Sequence, residues 1–188
     1  MITEKDIYLD NNPILRNKSI DVQIPLTKED EKLANSLLEY VRNSIDEKLQ
    51  AKYNLKPAVG IAAIQIGVAK KLLAVHYYQE TADTDKSILV EHLLANAKII
   101  GHSIKKSFLS GGEGCLSVAD AHEGYVQRNY KVTIKAYDVL AKKEKTFSVV
   151  GYEAIVLQHE IDHHQGIMFY DHIKKDNPYF KENGSIEI

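Results

Sequence analysis

The pentapeptide His159-Glu160-Ile161-Asp162-His163 constrains this chain more than any other feature, because it has the His-Glu-x-x-His form that places two histidines on one face of an α-helix. Side chains four residues apart on a helix point the same way, so both imidazoles can bind one metal ion. Glu160 can then reach a water bound to that ion. The spacing therefore predicts a helix that carries a hydrolytic metal site.

A solvated surface helix is the alternative, since short combinations of histidine and glutamate also arise by chance. Residues 153–158 before the motif read Glu-Ala-Ile-Val-Leu-Gln, and this largely apolar run indicates a buried helix. Buried His and Glu side chains cost free energy unless they find partners. A metal ion would supply partners for both histidines and, through a water, for Glu160, so the sequence favours the metal site.

Length and charge limit the class of protein. With 188 residues the chain is long enough for one compact domain but short for two, and we expect a single catalytic domain over residues 1–188. The net charge of −2, with both signs interspersed, offers no basic stripe for direct nucleic-acid binding. No apolar run approaches the ~20 residues of a membrane span, and no signal-like segment opens the chain. We therefore expect a soluble, cytoplasmic protein without a membrane partner.

Hydrophobic patterns predict an α+β fold. Aliphatic residues recur at every fourth position from residue 33 to residue 49, after a possible cap at Thr27, which predicts an N-terminal amphipathic helix of about 20 residues. Four short β-branched or apolar runs predict mostly antiparallel strands. They are residues 71–76, 97–100, 132–137 and 145–150. We expect antiparallel sheets packed around the C-terminal helix that carries the His-Glu-x-x-His sequence.

Two polar segments are expected to lie outside this framework. Residues 79–87 lack any apolar period, which predicts an exposed loop between two strands. The segment from about residue 179 to residue 188 is also polar and predicts a loosely held tail.

Cys115 is the candidate for the third protein ligand that a catalytic metal site requires. It is the only cysteine, which excludes an intramolecular disulfide and suits a reducing compartment. Its segment, residues 110–117, reads Ser-Gly-Gly-Glu-Gly-Cys-Leu-Ser, and the glycines would let the backbone approach a metal and point the N–H of Leu116 into a cleft. The alternative is a buried cysteine in an ordinary loop.

Residues 59–65, Val-Gly-Ile-Ala-Ala-Ile-Gln, form a third segment of interest. Alone it is equally consistent with a tightly packed turn. In chain order, Gly60-Ile-Ala-Ala-x-Gln65, Glu-Gly-Cys115-Leu-Ser and Gln-His159-Glu-x-Asp-His163 resemble the signature motifs of peptide deformylases. The resemblance covers most of the chain, because it extends to residues 12–16, 124–128 and 166–171. The Met-Phe-Tyr-Asp ending of the last range is similar to the branch common in Gram-positive bacteria.

This resemblance implies a hydrolase that removes the formyl group from the N-terminal formylmethionine of nascent bacterial polypeptides and releases formate. Matched positions imply that Cys115, His159 and His163 hold the metal, usually Fe(II) in this family, with Zn, Ni or Co able to substitute. Glu160 would be the general acid/base for a water whose pKa the ion lowers to about 7. A thiolate ligand suits iron but makes the site sensitive to oxidation.

The resemblance also assigns residues around the metal. The side chain of Gln65 and the backbone N–H of Leu116 would stabilise the oxyanion, although an amide that caps a strand end is the alternative for Gln65. Val59 and Gly60 would offer backbone hydrogen bonds to an extended peptide.

Other positions near the motif are interpreted from the helix itself. Ile155 and Val156 lie one turn before His159 and would line a pocket for the methionine side chain, a role compatible with ordinary core packing. We expect Arg128 and Asp162 to be structural, with Asp162 a candidate for orienting a ligand histidine.

The chain departs from the family pattern at four positions, which are Ala58, Ile64, His164 and Gln165. Ala58 replaces a usual glycine and would cost about 1 kcal/mol if its φ were positive. His164 points about 100° away from His163, so we interpret it as a packing or solvated residue. These departures bear on substrate preference more than on reaction type.

Two other functions stay open at this point. One is a metal-dependent amidase or peptidase of altered specificity. The other is a noncatalytic, metal-stabilised protein at the ribosome, although a structural site would need neither Glu160 nor Gln65. If the chain is a deformylase, its expected partners are formylmethionyl nascent peptides, with transient ribosome contact.

Overall fold

The computed structural model describes residues 1–80 and 86–188. Its α-helices are α1 (Lys28–Ile45), α2 (Glu47–Tyr53) and α3 (Gly151–His163). Its strands are β1 (Gly60–Ala62), β2 (Leu72–Glu80), β3 (Ser87–His102), β4 (Lys106–Phe108), β5 (Arg128–Asn129), β6 (Lys131–Asp138), β7 (Lys143–Val150) and β8 (Ile186–Glu187). The α+β class expected from the sequence is confirmed. No helix within the described ranges combines the length and apolarity needed to cross a membrane.

The main sheet has five antiparallel strands in the order β1-β2-β3-β6-β7. Both of its faces are covered, so strand β2 begins with four buried apolar residues in succession rather than with an alternating pattern. Leu72 packs with Leu37 and Val41 of α1 on one face. Leu73 packs with Leu157 of α3 on the other face. The two cores therefore share one sheet, with α1 and α3 on opposite sides.

The N-terminal helical segment is shorter than its hydrophobic repeat suggests. Thr27 Oγ1 accepts a hydrogen bond from the N–H of Asp30, as expected of a cap. The helix α1 ends at Ile45, however, and the carboxylate of Asp46 caps a second helix by accepting from the N–H groups of Lys48 and Leu49. The capping preference of Asp46 thus interrupts a repeat that continues to residue 49.

The predicted loop at residues 79–87 is partly strand. Gln79 and Glu80 end β2, and Ser87 begins β3. Residues 81–85, the centre of that predicted loop, lie outside the described residues.

The C-terminal segment contributes strand β8 to a second sheet of three strands, ordered β5-β4-β8. Strand β8 runs parallel to β4, and the N–H of Ile188 donates to the carbonyl of Phe108 at 2.9 Å. The ammonium group of Lys181 lies 5.0 Å from the ring centroid of Phe108. The last residues of the segment expected to be a loosely held tail, residues 179–188, are therefore held by main-chain pairing with β4.

Candidate metal centre

Helix α3 follows β7 without a loop. The backbone turns from strand to helix at Gly151, whose φ of 63° lies in the left-handed region that favours glycine. Nine of the thirteen residues of α3 are buried, because the helix is enclosed by the sheet and by loops. This burial explains the apolar run before the histidine motif and supports the buried-helix interpretation over a solvated one.

Three candidate ligands meet beside α3. We call Cys115, His159 and His163 the Cys-His-His cluster, whose ligand atoms all lie within 4.8 Å of one another. Cys115 Sγ is 3.3 Å from His163 Nε2, and the two histidine rings are 5.0 Å apart between centroids. The two histidines come from one helix, whereas Cys115 comes from the loop between β4 and β5.

The cluster fits a divalent transition metal. One thiolate and two imidazoles are ligand types that such ions prefer, and three protein ligands leave a position open for a reactant. Burial alone would lower the pKa of His159, but its contacts with Cys115 and Glu113 raise that pKa well above the ordinary value. The surroundings of His159 therefore favour a positive charge at this point, which a bound cation would supply.

A buried ion network orients His159. Glu113 Oε2 lies 2.9 Å from His159 Nδ1, and the same carboxylate receives two hydrogen bonds from Arg128, at 2.8 and 3.0 Å. Arg128 also bonds to Asp162, which in turn contacts His172 at 2.7 Å. With Nδ1 held by a carboxylate, the ring of His159 presents Nε2 to the cluster.

Glu113 is a candidate site residue that the sequence interpretation missed. Asp162, expected to orient a ligand histidine, contacts Arg128 and His172 instead, and Glu113 takes the orienting position. Burial would raise the pKa of Glu113, but the charge of Arg128 lowers it to about 2. An acidic residue two positions before the candidate cysteine was the only available signal in the sequence.

Glu160 is buried next to the cluster. Desolvation raises the pKa of its carboxyl group to about 7, and Oε2 has no hydrogen-bond partner among the described residues. The carboxylate packs directly against Gly60, where an added Cβ would lie only 2.4 Å from Glu160 Oε1. Glycine at position 60 therefore provides the space for a carboxylate that is suited to proton transfer near neutral pH.

Gln65 and Leu116 lie at the edge of the cluster. The side-chain oxygen of Gln65 accepts from the N–H of Ala62 at 2.9 Å, and its Nε2 lies 3.4 Å from Cys115 Sγ and 3.1 Å from Ser117 Oγ. One end of the amide thus caps the backbone while the other end faces the cluster. The N–H of Leu116 donates to no other atom within the parts of the chain that the structure describes.

Adjacent residues of this loop belong to different cores. The side chain of Cys115 packs against the core on the α3 face of the main sheet, whereas that of Leu116 packs into the core on the α1 face. The loop therefore crosses the edge of the sheet at the candidate metal centre.

A cleft of about 800 Å³ opens over the cluster. Nine of the ten predicted site residues line it, and the tenth, His163, is buried beneath. The nine are Val59, Gly60, Gln65, Cys115, Leu116, Ile155, Val156, His159 and Glu160. The sequence interpretation missed the aromatic part of the lining, which consists of His122, Tyr125, Tyr152, Phe169 and Tyr179.

Strand β1 forms one wall of the cleft and is an edge strand of the main sheet. The carbonyl of Val59 accepts from the N–H of His76 at 2.9 Å, so it is occupied by β2. Because antiparallel pairs alternate, the next pair, Gly60 with Val75, is a non-hydrogen-bonded pair. The N–H and C=O of Gly60 consequently point away from β2, towards the cleft.

The four departures from the family pattern leave the site intact. Ala58 is not among the described residues with positive φ, so the strain considered for it is absent. Ile64 is fully buried in the core, and Gln165 is exposed. His164 is fully buried, its Nε2 lies 3.4 Å from the carbonyl oxygen of Leu72, and burial lowers its pKa to about 4. His164 is therefore a packing residue.

Comparisons with known proteins identify the family of this chain. The family model described as "Polypeptide deformylase" matches residues 4–179. The chain is 45% identical over 185 residues to "Peptide deformylase 2" of Bacillus anthracis, which covers 98% of this chain and 97% of the relative. It is 47% identical over 180 residues to a "Peptide deformylase" of Listeria monocytogenes, covering 96% and 95%. A solved structure, a probable peptide deformylase from Synechococcus phage S-SSM7, has a TM-score of 0.69 at 31% identity and covers 88% of this chain and 97% of its own.

Proposed function

Because the chain belongs to the polypeptide deformylase family, we propose that it removes the formyl group from formylmethionyl peptides with the Cys-His-His cluster and Glu160. The protein is an enzyme, a metal-dependent hydrolase that deformylates nascent polypeptides. The relatives from Bacillus and Listeria confirm the Gram-positive-like branch expected from the sequence. The observation that carries the proposed site is the convergence of Cys115, His159 and His163, whose ligand atoms lie within 4.8 Å of one another beside the helix that also carries Glu160.

The metal we propose is Fe(II), with Zn, Ni or Co able to occupy the same ligands. Cys115, His159 and His163 would hold the ion, and the thiolate among them supports iron over harder cations. When bound, the ion supplies Lewis acidity, which polarises the formyl carbonyl and makes water acidic near neutral pH. Metal analysis of protein purified without oxygen from its own host would identify the ion loaded in the cell.

Glu160 is the proposed proton carrier. Its carboxylate would accept the proton of the attacking water and then deliver it to the amine that leaves as the carbon–nitrogen bond breaks, so that formate and a free N-terminus result. A pKa of about 7 supports both halves of this cycle, because such a group gains and loses a proton with similar ease at neutral pH.

Gln65 and Leu116 are the proposed oxyanion donors. Attack on the formyl carbon places negative charge on its oxygen, and preorganised N–H groups stabilise that charge. The amide nitrogen of Gln65, 3.4 Å from Cys115 Sγ, and the N–H of Leu116, which has no partner among the described residues, support this role.

Replacing Gln65 with leucine is expected to lower kcat by about 10²-fold, since one such donor is worth roughly 3 kcal/mol in other hydrolases. Leucine has a similar size but no amide, and KM should change little. Initial rates of formate release, measured at equal metal content, would check this. A loss confined to KM would contradict the assignment to oxyanion stabilisation.

The cleft supplies the proposed substrate contacts. Ile155 and Val156 would line a pocket for the methionine side chain, one helical turn from His159. The outward-facing N–H and C=O of Gly60 support pairing with an extended peptide along β1, with Val59 beside it. We further propose that the enzyme meets these peptides in the cytoplasm, in transient contact with the ribosome, because nascent chains emerge there.

Replacing Gly60 with alanine is expected to lower kcat by about 10²-fold, because the new Cβ would displace the Glu160 carboxylate, only 2.4 Å away. The matched control is Gly111→Ala, which adds a methyl group to the same cleft with no atom within 4 Å. Steady-state kinetics of both variants would check this. Equal losses in both variants would show that Gly60 has no special relation to Glu160.

The decisive experiment measures formate release from formyl-Met-Ala-Ser by protein loaded with Fe(II) in the absence of oxygen. Acetyl-Met-Ala-Ser tests the alternative of an amidase with altered specificity. We expect turnover of the formyl peptide alone. Comparable turnover of the acetyl peptide would support the amidase, and no turnover by metal-loaded protein would support the noncatalytic alternative.

A further inference from the structure

We propose that helix α1 positions the peptide-binding wall of the cleft through two buried side chains, Tyr40 and Ser44. The wall consists of residues 56–60, all of which line the cleft. This inference rests on the proposed function, because it takes the wall as the surface on which the formylated peptide lies.

Tyr40 and Ser44 contact the main chain of the wall directly. Both are fully buried on α1, one turn apart. The hydroxyl of Tyr40 donates to the carbonyl of Lys56 at 3.0 Å. Ser44 Oγ accepts from the N–H of Ala58 at 3.2 Å and lies 3.2 Å from the carbonyl of the same residue. Two side chains from one helix thus hold the wall at two main-chain positions.

These contacts matter because the wall has little other main-chain support. Helix α2 ends at Tyr53, and pairing with β2 begins only at the carbonyl of Val59. Between these points, the carbonyl of Lys56 and the N–H of Ala58 have no backbone partner among the described residues. The two buried hydroxyl groups supply the partners that these main-chain groups otherwise lack, so they favour one position for residues 56–58.

The position of the wall determines how Gly60 meets a peptide. The segment is anchored to α1 at Ala58 and to β2 at Val59, and Gly60 follows directly. These anchors therefore fix the position of the N–H and C=O of Gly60 relative to the Cys-His-His cluster. Contacts with the peptide backbone are made equally in the ground state and in the transition state. Loss of such uniform binding raises KM and leaves kcat unchanged.

The test compares Ser44→Ala and Tyr40→Phe with Thr27→Ala. Each of the first two changes removes one hydroxyl group that holds the wall, whereas Thr27→Ala removes the cap at the opposite end of α1, about 20 Å from Tyr40 and about 25 Å from Ser44 along the helix axis. All three should lower Tm. Only the wall variants should raise KM for formyl-Met-Ala-Ser, by roughly five- to tenfold, with kcat within about twofold of the parent protein.

A second measurement is independent of turnover. Hydrogen exchange at the amides of Ala58, Val59 and Gly60 should be faster in Ser44→Ala than in the parent or in Thr27→Ala. Faster exchange together with a raised KM supports the positioning role. Unchanged exchange in Ser44→Ala, or a rise in KM that Thr27→Ala shares, would overturn it.

An inactive parent protein would refute the proposed function, while the exchange data would still decide whether α1 holds the wall. If Ser44→Ala does not fold, KM and hydrogen exchange of Tyr40→Phe are compared with those of Thr27→Ala instead, since this variant loses only a single oxygen atom.

Discussion

Replacing Glu160 with glutamine is expected to lower kcat for formyl-Met-Ala-Ser by about 10³-fold or more, which lies within the range that a general acid/base contributes. Glutamine keeps the shape of the side chain against Gly60 but can neither accept the proton of the attacking water nor deliver it to the leaving amine. Both halves of the proposed cycle therefore fail together, which is why this change should exceed the loss of an oxyanion donor.

The same substitution should not destabilise the fold. Glu160 is buried and its Oε2 has no partner among the described residues, so the carboxylate has no ion pair to lose. The ligands are other residues, and the metal content should match that of the parent protein. Kinetics, metal analysis and thermal unfolding of one preparation would check the three expectations. Substantial activity at full metal content would contradict the role given to Glu160, and loss of metal would indicate a structural role instead.

Replacing Glu113 with glutamine is expected to reduce the free energy of unfolding by about 3 kcal/mol, because Arg128 would remain buried with only Asp162 to balance its charge. Metal affinity should fall about tenfold or more, since the charged partner of His159 Nδ1 is lost. Denaturant unfolding and competition with a chelator would measure the two effects. The control is Glu123→Gln, an exposed acid on the same loop, which should change stability by no more than about 0.5 kcal/mol.

The destabilisation should also depend on pH. The carboxyl group of Glu113 has a pKa of about 2 in the folded chain, compared with 4.5 as its ordinary value. A depressed pKa means that the unfolded chain binds a proton first as pH falls, so the contribution of Glu113 is complete above about pH 4.5 and is lost between pH 4.5 and 2. The difference between the parent protein and Glu113→Gln should therefore shrink across this window. A difference independent of pH would show that packing rather than charge accounts for it.

Residues related by local geometry could be predicted from the sequence. His159, Glu160 and His163 needed only the helical repeat, because four residues along an α-helix always bring side chains to one face. Cys115 was a candidate as the single cysteine in a glycine-rich segment, whereas Gln65 was assigned only by the resemblance of whole motifs. Both residues line the same cleft as His159. Ile155 and Val156 line the cleft and are also core residues, so the two interpretations given for them are compatible.

Residues related only by tertiary contacts could not be predicted in this way. Ser44 and Ala58 are 14 positions apart, and nothing in their local sequence indicates a hydrogen bond between them. The ion pair of Glu113 with Arg128 likewise joins residues whose spacing has no periodic meaning. The pairing of residues 186–187 with β4 could not be predicted for the same reason, because composition does not reveal main-chain bonds between distant segments.

Because of the loop that carries Cys115 and Leu116, we expect turnover to require that both hydrophobic cores are packed. The side chain of Cys115, the proposed metal ligand, packs on one face of the sheet, and that of Leu116, the proposed oxyanion donor, packs on the other. Loosening either face would move one of the two relative to the other, so a chain with only one ordered half should have no residual turnover. Enzymatic activity is therefore expected to disappear on heating at or before the first detectable loss of tertiary structure, and it would serve as a sensitive probe of early unfolding.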